Sequence, residues 1–312
     1  MGRLTENKIV LVTRKTRLDE LISRFNTESQ ARFYIEHLGA DFEDYREEDI
    51  TYKKSIQKAE RILAKLGRVQ VVDRLYISNF IFGEKDIVVA LGQDGLVANV
   101  LKYLDSQPII GVNPDPNRWE GVLLPFQVSD LPEITPEVFQ QNCKMEQITI
   151  AQAQLNTGQT IYGVNDLFIG PKSHTSARYI IQLEEEAEHQ SSSGIIVSTG
   201  LGSTGWFRSV LTGATGVSSK VTGREIKVRK KSKFNWSSEY LYFSVREPWP
   251  SKTTSAKLTF GRVTHNKPLL VTSLMPENGV IFSDGIEADF LEFNSGTKAK
   301  ITVSEKKGSL VT

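Results

Sequence analysis

The sequence is poor in residues and segments that cross-link or anchor a chain. Its 312 residues include a single cysteine, Cys143, which excludes an internal disulfide and leaves no second thiolate for a metal site. Basic and acidic residues number 38 and 37, so no overall field draws the chain toward nucleic acid or anionic membrane. No apolar run approaches membrane-spanning length, and Met1 to Asn7 lacks the apolar region of a secretory signal. We therefore expect a cytoplasmic protein with no membrane or nucleic-acid partner.

The first part of the chain alternates strands with helices. Its strands are continuous aliphatic runs, which are typical of parallel strands covered on both faces. The predicted strands are Lys8–Thr13, 69–72, Asp86–Leu91 and 109–112, and the predicted helices are about 18–25, 28–38, 52–66 and 96–104. The pattern predicts an α/β nucleotide-binding domain with a mostly parallel sheet over residues 1–135.

The sequence pattern changes after a proline-rich stretch that ends at Pro136. We interpret this stretch as a connection between two domains. Short β segments then follow at close intervals, at 148–154, 178–183, 194–198, 240–245, 257–260, 269–272, 280–282 and 298–303. A basic stretch, 224–233, is interpreted as a solvated loop in preference to a phosphate or RNA contact. The pattern predicts an all-β domain, antiparallel and sandwich-like, over residues 136–312.

A strand that runs into a glycine-flanked aspartate carries the clearest chemical signal. The buried run Asp86–Leu91 is followed by Gly92, Gln93, Asp94 and Gly95 and then by a helix. Ligands collect at the carboxyl ends of parallel strands, and anions favour helix starts. A carboxylate there can deprotonate or orient a hydroxyl beside a phosphate. Taken alone, the motif is better explained by an ordinary Asp-Gly turn.

Three other stretches offer groups that could contact a nucleotide. Lys15 and Arg17 follow the first strand and can meet a phosphate, although cations there are more often only solvated. Asn165 and Asp166 either form a turn or grip a sugar through hydroxyl hydrogen bonds. The loop 199–205 presents glycines and hydroxyls to an anion, or is simply a flexible turn; its candidate residues are Thr199, Gly202, Ser203 and Thr204.

Taken in order, these motifs resemble those of the NAD kinase family. The turn around Asp94, the Asn165-Asp166 pair and the Ser-Thr loop follow one another as they do in that family, and the resemblance covers about residues 8–287. The segment 111–121, the early Lys15-Thr16-Arg17 turn and residues 192–194 resemble the mitochondrial-type branch more closely than common bacterial forms.

The resemblance implies an enzyme that passes a phosphoryl group to the adenosine 2′-hydroxyl of NAD, giving NADP. Asp94 would act on the hydroxyl, and Gly92, Gln93 and Gly95 would line the donor-phosphate turn. The adenosine portion of NAD would be held by Asn165 and Asp166, and its cleft would be lined by Thr199, Gly202, Ser203 and Thr204, with Ser193 nearby. The family uses ATP, sometimes polyphosphate, with a divalent metal such as Mg²⁺, and its members are homodimers or homotetramers. The resemblance assigns no protein residue as a metal ligand.

The chain also departs from the family pattern. Gln93 and Leu96 replace a glycine and a threonine of the usual turn, Asp166 replaces a glutamate, Ser193 an acidic residue and Trp206 a tyrosine. Gln93 either fills space that the phosphates need or supplies a side-chain contact. The late pair Asp284-Gly285 is interpreted as a hairpin turn. Two alternatives to an NAD kinase therefore stay open: a catalytically weak NAD-binding regulatory homologue, and a related kinase acting on another hydroxyl acceptor.

Overall fold

The computed structural model describes residues 4–227 and 233–312, without the side chains of residues 287 and 288. The central part of the basic stretch, 228–232, lies outside the described residues. The chain divides into two compact units, Met1–Glu146 with Ser309–Thr312, and Gln147–Gly308. The sequence-based boundary at 135/136 falls inside a helix, Leu131–Phe139, whose buried side chains pack in the core of the first unit. This packing carries the first unit beyond the proline-rich stretch.

The first unit is a parallel sheet with helices. Its elements are β1 (Lys8–Thr13), α1 (Arg17–Phe25), α2 (Glu28–His37), α3 (Phe42–Leu66), β2 (Arg68–Asp73), a 3₁₀ turn (Arg74–Asn79), β3 (Ile87–Leu91), α4 (Asp94–Leu101), β4 (Pro108–Asn113), β5 (Phe126–Gln127), a 3₁₀ turn (Val128–Asp130) and α5 (Leu131–Phe139). The strands lie in the order β2-β1-β3-β4, all parallel, and β5 pairs parallel with β4. The predicted α/β fold with a mostly parallel sheet is confirmed.

Two helices of the first unit differ from the sequence prediction. Helix α3 begins at Phe42, ten residues before the predicted start, and Asp41 caps it by accepting the Glu43 N–H. Besides Phe42, the early turns bury the acids Glu48 and Asp49, which interrupt the apolar period of this stretch. Helix α5 was not predicted, because Pro132 and Pro136 mark a connection in the sequence.

The second unit consists, in the part of the chain that the structure describes, of strands with one helix. Its elements are β6 (Met145–Leu155), β7 (Thr160–Gly163), β8 (Asp166–Pro171), β9 (Ala177–Leu183), β10 (Glu186–Ser192), β11 (Ile195–Ser198), a 3₁₀ turn (Gly202–Thr204), α6 (Trp206–Thr222), β12 (Leu241–Val245), β13 (Phe260–Val263), β14 (Leu269–Ser273), β15 (Gly279–Ser283), β16 (Ile286–Glu292) and β17 (Lys298–Val311). One antiparallel sheet has the order β13-β12-β11-β8-β15-β16, and another contains β10-β9-β14-β17 with β6 and β7.

A large buried cluster forms a core in the second unit. It draws apolar side chains from both sheets, among them Ile169 and Phe243 from one and Tyr179 and Ile301 from the other. Two sheets that share one core form a sandwich, so the antiparallel, sandwich-like prediction is confirmed. Helix α6, however, is 17 residues long and buries only Phe207. No described helix has the length and apolar character required to cross a membrane.

Strands β13 and β10 of this unit differ from the sequence prediction. Strand β13 begins at Phe260, where the predicted segment 257–260 ends, because Leu258 is buried from a loop. Strand β10 was not predicted, since its sequence Glu-Ala-Glu-His-Gln-Ser-Ser has no apolar alternation. It forms through main-chain pairing with β9 at a sheet edge.

Candidate functional site

The carboxylate of Asp94 lies at the carboxyl end of β3, in the first turn of α4. Its Oδ1 accepts the N–H of Leu123 at 2.7 Å, and its Oδ2 accepts the N–H of Val122 at 3.2 Å. These amides belong to the loop that returns after β4. The carboxylate is half-buried and fixed in orientation by the main chain. It thus has a structural role in the loop as well as a position suited to chemistry.

The two glycines of this turn lie in different surroundings. Neither Gly92 nor Gly95 has a left-handed backbone. A Cβ on Gly92 would lie 2.8 Å from Cδ2 of Leu96, so close packing requires the glycine. A Cβ on Gly95 would have no atom of the chain within 4 Å. Leu96 is 2% exposed, so of the two departures from the family turn only Gln93 reaches the surface.

A cleft of about 240 Å³ opens in the first unit next to this turn. Four cationic side chains line it, Arg14, Lys15, Arg17 and Arg74, together with Gln93. Strand β1 pairs in parallel with β2 on one side and β3 on the other. The segments that leave the carboxyl ends of these three strands therefore meet at one edge, which is where ligands bind in open α/β sheets.

Two of these arginines are bound to carboxylates of α3. Arg14 donates to Glu48 at 2.9 Å, and Arg17 donates to Glu48 and, at 2.8 Å, to Asp44. Burial alone would raise the pKa of Glu48, but the hydrogen bonds and charges of Arg17 and Arg14 hold it below its usual range. Burial likewise opposes the charge on Arg17, whose pKa is nevertheless raised by its bonds to Asp44 and Glu48. A phosphate that contacts Arg17, as predicted, would therefore compete with Glu48 and Asp44 for its N–H donors.

Lys15 has no such competition. It is exposed, and its Nζ donates to the Ser23 hydroxyl at 3.2 Å. A neutral partner leaves the charge and further N–H donors available to an anion. Lys15 therefore remains suited to the predicted phosphate contact.

In the second unit, Asn165 and Asp166 form the corner between β7 and β8. The Asp284 carboxylate accepts the N–H groups of Val164, Asn165 and Asp166, at 2.6 Å for Asn165. Asp284 and Gly285 are the two residues between β15 and β16, and both have positive φ. The hairpin prediction is confirmed, and Asp284 additionally fixes the corner through three consecutive amides.

Asp166 is 7% exposed and lies close to a second acid. Burial, followed by the charge of Asp284, raises the pKa of Asp166 to about 7. An acid that titrates near neutrality can accept or donate a hydrogen bond at small energetic cost. Asn165, next to it, is half-buried and leaves its side chain available.

The hydroxyl-rich loop packs directly on this corner. The Thr199 hydroxyl donates to the carbonyl oxygen of Val164 at 2.5 Å. A Cβ added to Gly202 would lie 2.0 Å from the carbonyl oxygen of Asn165, so the loop contacts the main chain of the corner. The Ser203 hydroxyl donates to Gly200 at 2.7 Å. The buried hydroxyls of Thr199 and Ser203 thus hold the loop together, whereas Thr204 is exposed. Of the predicted lining hydroxyls, Thr204 is the most accessible to a ligand.

The remaining predicted contact lies beside an aromatic stack. Ser193 is half-buried and donates its N–H to Arg246 at 2.9 Å. The Arg246 guanidinium lies 5.4 Å from the ring centre of Trp206, which stacks on Phe168 at 5.6 Å. Trp206, which replaces the usual tyrosine, therefore contacts both an aromatic ring and a guanidinium.

Among residues 4–227 and 233–312, no group of three or more His, Cys, Asp or Glu side chains is arranged to hold a metal ion.

The predicted site residues fall into two groups, one in each unit. Sequence reasoning missed Arg14 and Arg74 of the cleft, the acid Glu48 and the bonding role of Asp284. Arg14 could have been found as a cation that directly follows a predicted strand.

Solved structures of low sequence identity share this fold. The chain is similar to an NAD kinase from Archaeoglobus fulgidus in complex with ATP, with a TM-score of 0.58, 16% identity and coverage of 98% of this chain and 93% of that chain. The chain has the NAD kinase fold. It is also similar to yeast NADH kinase complexed with NADH, with a TM-score of 0.57, 14% identity and coverage of 99% and 84%.

The NAD kinase fold thus covers nearly the whole chain, including both groups of candidate residues. No protein-family model matches the sequence, and no curated protein matches it. Identities of 14–16% establish the fold, and function has to be argued from the residues themselves.

Proposed function

We propose that the chain is an NAD kinase, which transfers the terminal phosphoryl group of ATP, or of inorganic polyphosphate, to the adenosine 2′-hydroxyl of NAD and gives NADP. The observation that carries the proposal is the NAD kinase fold over nearly the entire chain, with Asp94 at the carboxyl end of β3. A sheet edge of this kind is where α/β proteins bind nucleotides.

In this proposal Asp94 acts as the general base or orienting group. The 2′-oxygen forms the new P–O bond, its proton passes to the Asp94 carboxylate, and the bond between the transferred phosphorus and the leaving phosphate breaks. The amides of Val122 and Leu123 support this role, because they fix the carboxylate before substrate arrives. The open space over Gly95 is consistent with close approach of a ligand.

The second unit supplies the adenosine contacts in this proposal. Asp166 and Asn165 accept and donate hydrogen bonds to ribose hydroxyls or the adenine edge, and Thr204 offers an accessible hydroxyl. Gly202 and Ser203 shape the loop, and Ser193 with Trp206 provides the remaining contacts. The support is the packing of the loop on the Asn165-Asp166 corner.

A divalent cation such as Mg²⁺ would neutralise charge on the donor phosphates. Glu48 and Asp44, which pair with arginines of the cleft, fit this role poorly because their oxygens already accept from Arg14 and Arg17. We therefore expect the donor phosphates to supply most of the oxygen ligands. The proposal further includes a homodimer or homotetramer in the cytoplasm, as the resemblance implies.

The experiment is a coupled assay. The purified chain is incubated with NAD, ATP and Mg²⁺, and NADP is measured with an NADP-specific dehydrogenase. We expect turnover by the natural chain and a loss of at least ~10²-fold in Asp94→Asn, the scale of a removed general base. Asp41→Asn is the matched control, because asparagine caps a helix as well as aspartate. Thermal unfolding of both variants checks that the loop held by Asp94 is intact.

The assay also separates the alternatives. Unchanged activity in Asp94→Asn would remove this carboxylate from the reaction. Saturable NAD binding without turnover would favour the regulatory homologue, for which Gln93 is the supporting observation. Phosphate transfer to another hydroxyl compound but not to NAD would favour a related kinase, against which the Asn165-Asp166 corner argues.

A further inference from the structure

Arg74 is an arginine of the cleft whose guanidinium is not paired with an acid among the described residues. It is the first residue after β2, is half-buried and lines the cleft with Gln93. Its side chain makes no hydrogen bond, ion pair or ring contact within residues 4–227 and 233–312. A half-buried guanidinium without a partner loses hydration and gains nothing from the chain in return. The unpaired guanidinium is best explained by an anionic ligand that accepts its hydrogen bonds.

The other two arginines of the cleft differ in this respect, because each is paired with an acid. The guanidinium groups of Arg14 and Arg17 are already matched by Glu48, and Arg17 also by Asp44. Lys15 has only the neutral Ser23 as a partner. Two acids, Glu20 and Asp73, also line the cleft. The Asp73 carboxylate accepts the N–H of Leu75, so it caps the 3₁₀ turn that carries Arg74.

Gln93 adds a neutral donor to the same wall. Its main chain caps α4, but its side chain makes no hydrogen bond. The carboxamide can therefore donate to a phosphate oxygen without breaking a contact of the chain. In place of a glycine amide at the turn, the chain then offers a side-chain amide at the cleft.

We propose that Arg74, together with Lys15 and the Gln93 carboxamide, binds two linked phosphates of a phosphoanhydride chain. The planar fork of arginine takes one phosphate in a bidentate manner, and the ammonium of Lys15 neutralises the next. Under the proposed function, on which this inference rests, these phosphates belong to the phosphoryl donor. ATP and inorganic polyphosphate share this chemistry, so either source fits the cleft.

Isothermal titration calorimetry of the full chain with tripolyphosphate and Mg²⁺ tests the inference without requiring turnover. We expect saturable binding that Arg74→Gln weakens at least about tenfold, as for the loss of a charge-assisted hydrogen-bond pair. Arg74→Lys should recover part of the affinity, and Gln93→Ala should lose a few-fold. Arg61→Gln is the matched control, because Arg61 is exposed on α3 and has no partner among the described residues. A second arm with ATP and Mg²⁺ identifies the source.

The outcomes are distinct from those of the kinase assay. Equal affinity of Arg74→Gln and the natural chain, or no saturable tripolyphosphate binding, would overturn the inference even if NADP is formed. Binding through Arg74 without NADP formation would leave the site in place and remove the proposed function. Tighter Arg74-dependent binding of ATP than of tripolyphosphate assigns the site to the nucleotide donor, and the reverse assigns it to polyphosphate.

Discussion

At the scale of the residue, Asp166 combines burial with a neighbouring charge in a way that makes it sensitive to pH. Its pKa near 7 lies above the value of about 4 expected in an unfolded chain. The native state therefore binds more protons than the unfolded state between these values. The stabilisation from this proton is complete below about pH 4 and is lost as the pH rises through about 7.

We expect the unfolding free energy to fall as the pH is raised from 5 to 8, by up to about 1.4 kcal/mol per pH unit below the pKa of Asp166. Asp166→Asn should flatten this dependence. Glu48, Asp44 and Asp19 do not interfere, because their pKa values are lowered and they stay ionised throughout this range. Urea unfolding of both proteins at several pH values is the measurement. An identical slope in the two proteins would show that Asp166 is not the titrating group.

The same ionisation bears on the proposed adenosine contact. If the carboxylate accepts ribose hydroxyls, NAD must bind the ionised form, so affinity should improve about tenfold from pH 6 to pH 8. Titration calorimetry with NAD measures this change, and Asp166→Asn should remove it. Affinity that falls with pH would instead indicate that protonated Asp166 donates to the ligand.

At the scale of the element, the corner between β7 and β8 depends on an acid from a distant hairpin. Asp284→Ala leaves three consecutive amides without their acceptor, a loss of about 3 kcal/mol in unfolding free energy. Asp284→Asn keeps an acceptor oxygen but removes the charge, so it should cost less stability and lower the pKa of Asp166. Stability curves against pH distinguish the two effects. If both variants behave alike, the charge and not the amide bonding is the important property of Asp284.

The same scale shows what the sequence can and cannot predict. Strands β1 and β3 were predicted within one residue, because a continuous aliphatic run is itself the signal of a doubly covered strand. The early turns of α3 were not, since the residues they bury include the acids Glu48 and Asp49. Their partners, Arg14 and Thr16, lie more than 30 positions away. Such pairing is a property of the folded unit.

Proline explains the other omission. Helix α5 buries Leu131, Ile134, Thr135 and Val138 at the spacing of one helix face. Its first proline occupies the first turn, where no main-chain hydrogen bond is lost, so the sequence signal for a helix break was misleading.

The residues of the candidate site also differ in how far local sequence can predict them. Asp94 was found from local sequence, whereas Arg74 becomes a candidate only once β2 is known to lie beside β1.

At the scale of the whole molecule, the last residues of the sequence belong to the same unit as its first residues, and the second unit lies between them in sequence. Residues Ser309–Thr312 belong to the first unit, where Ser309 and Leu310 pair in parallel with β4. Val311 is fully buried in the core that also contains Ile110 and Val112 of β4. The last residues of the sequence therefore complete a sheet that its first residues begin.

Val311→Ala should accordingly destabilise the first unit by about 2 kcal/mol, through lost apolar contacts and the cavity that remains. Val217→Ala is the matched control, because Val217 is 66% exposed on α6 and should change stability by less than about 0.5 kcal/mol. Hydrogen exchange resolves the location of the effect. Amides of β3 and β4 should exchange faster in Val311→Ala, as expected when the sheet they share with the C-terminus opens more often. Faster exchange confined to β12 and β13, with β4 unchanged, would contradict the assignment of the C-terminus to the first core.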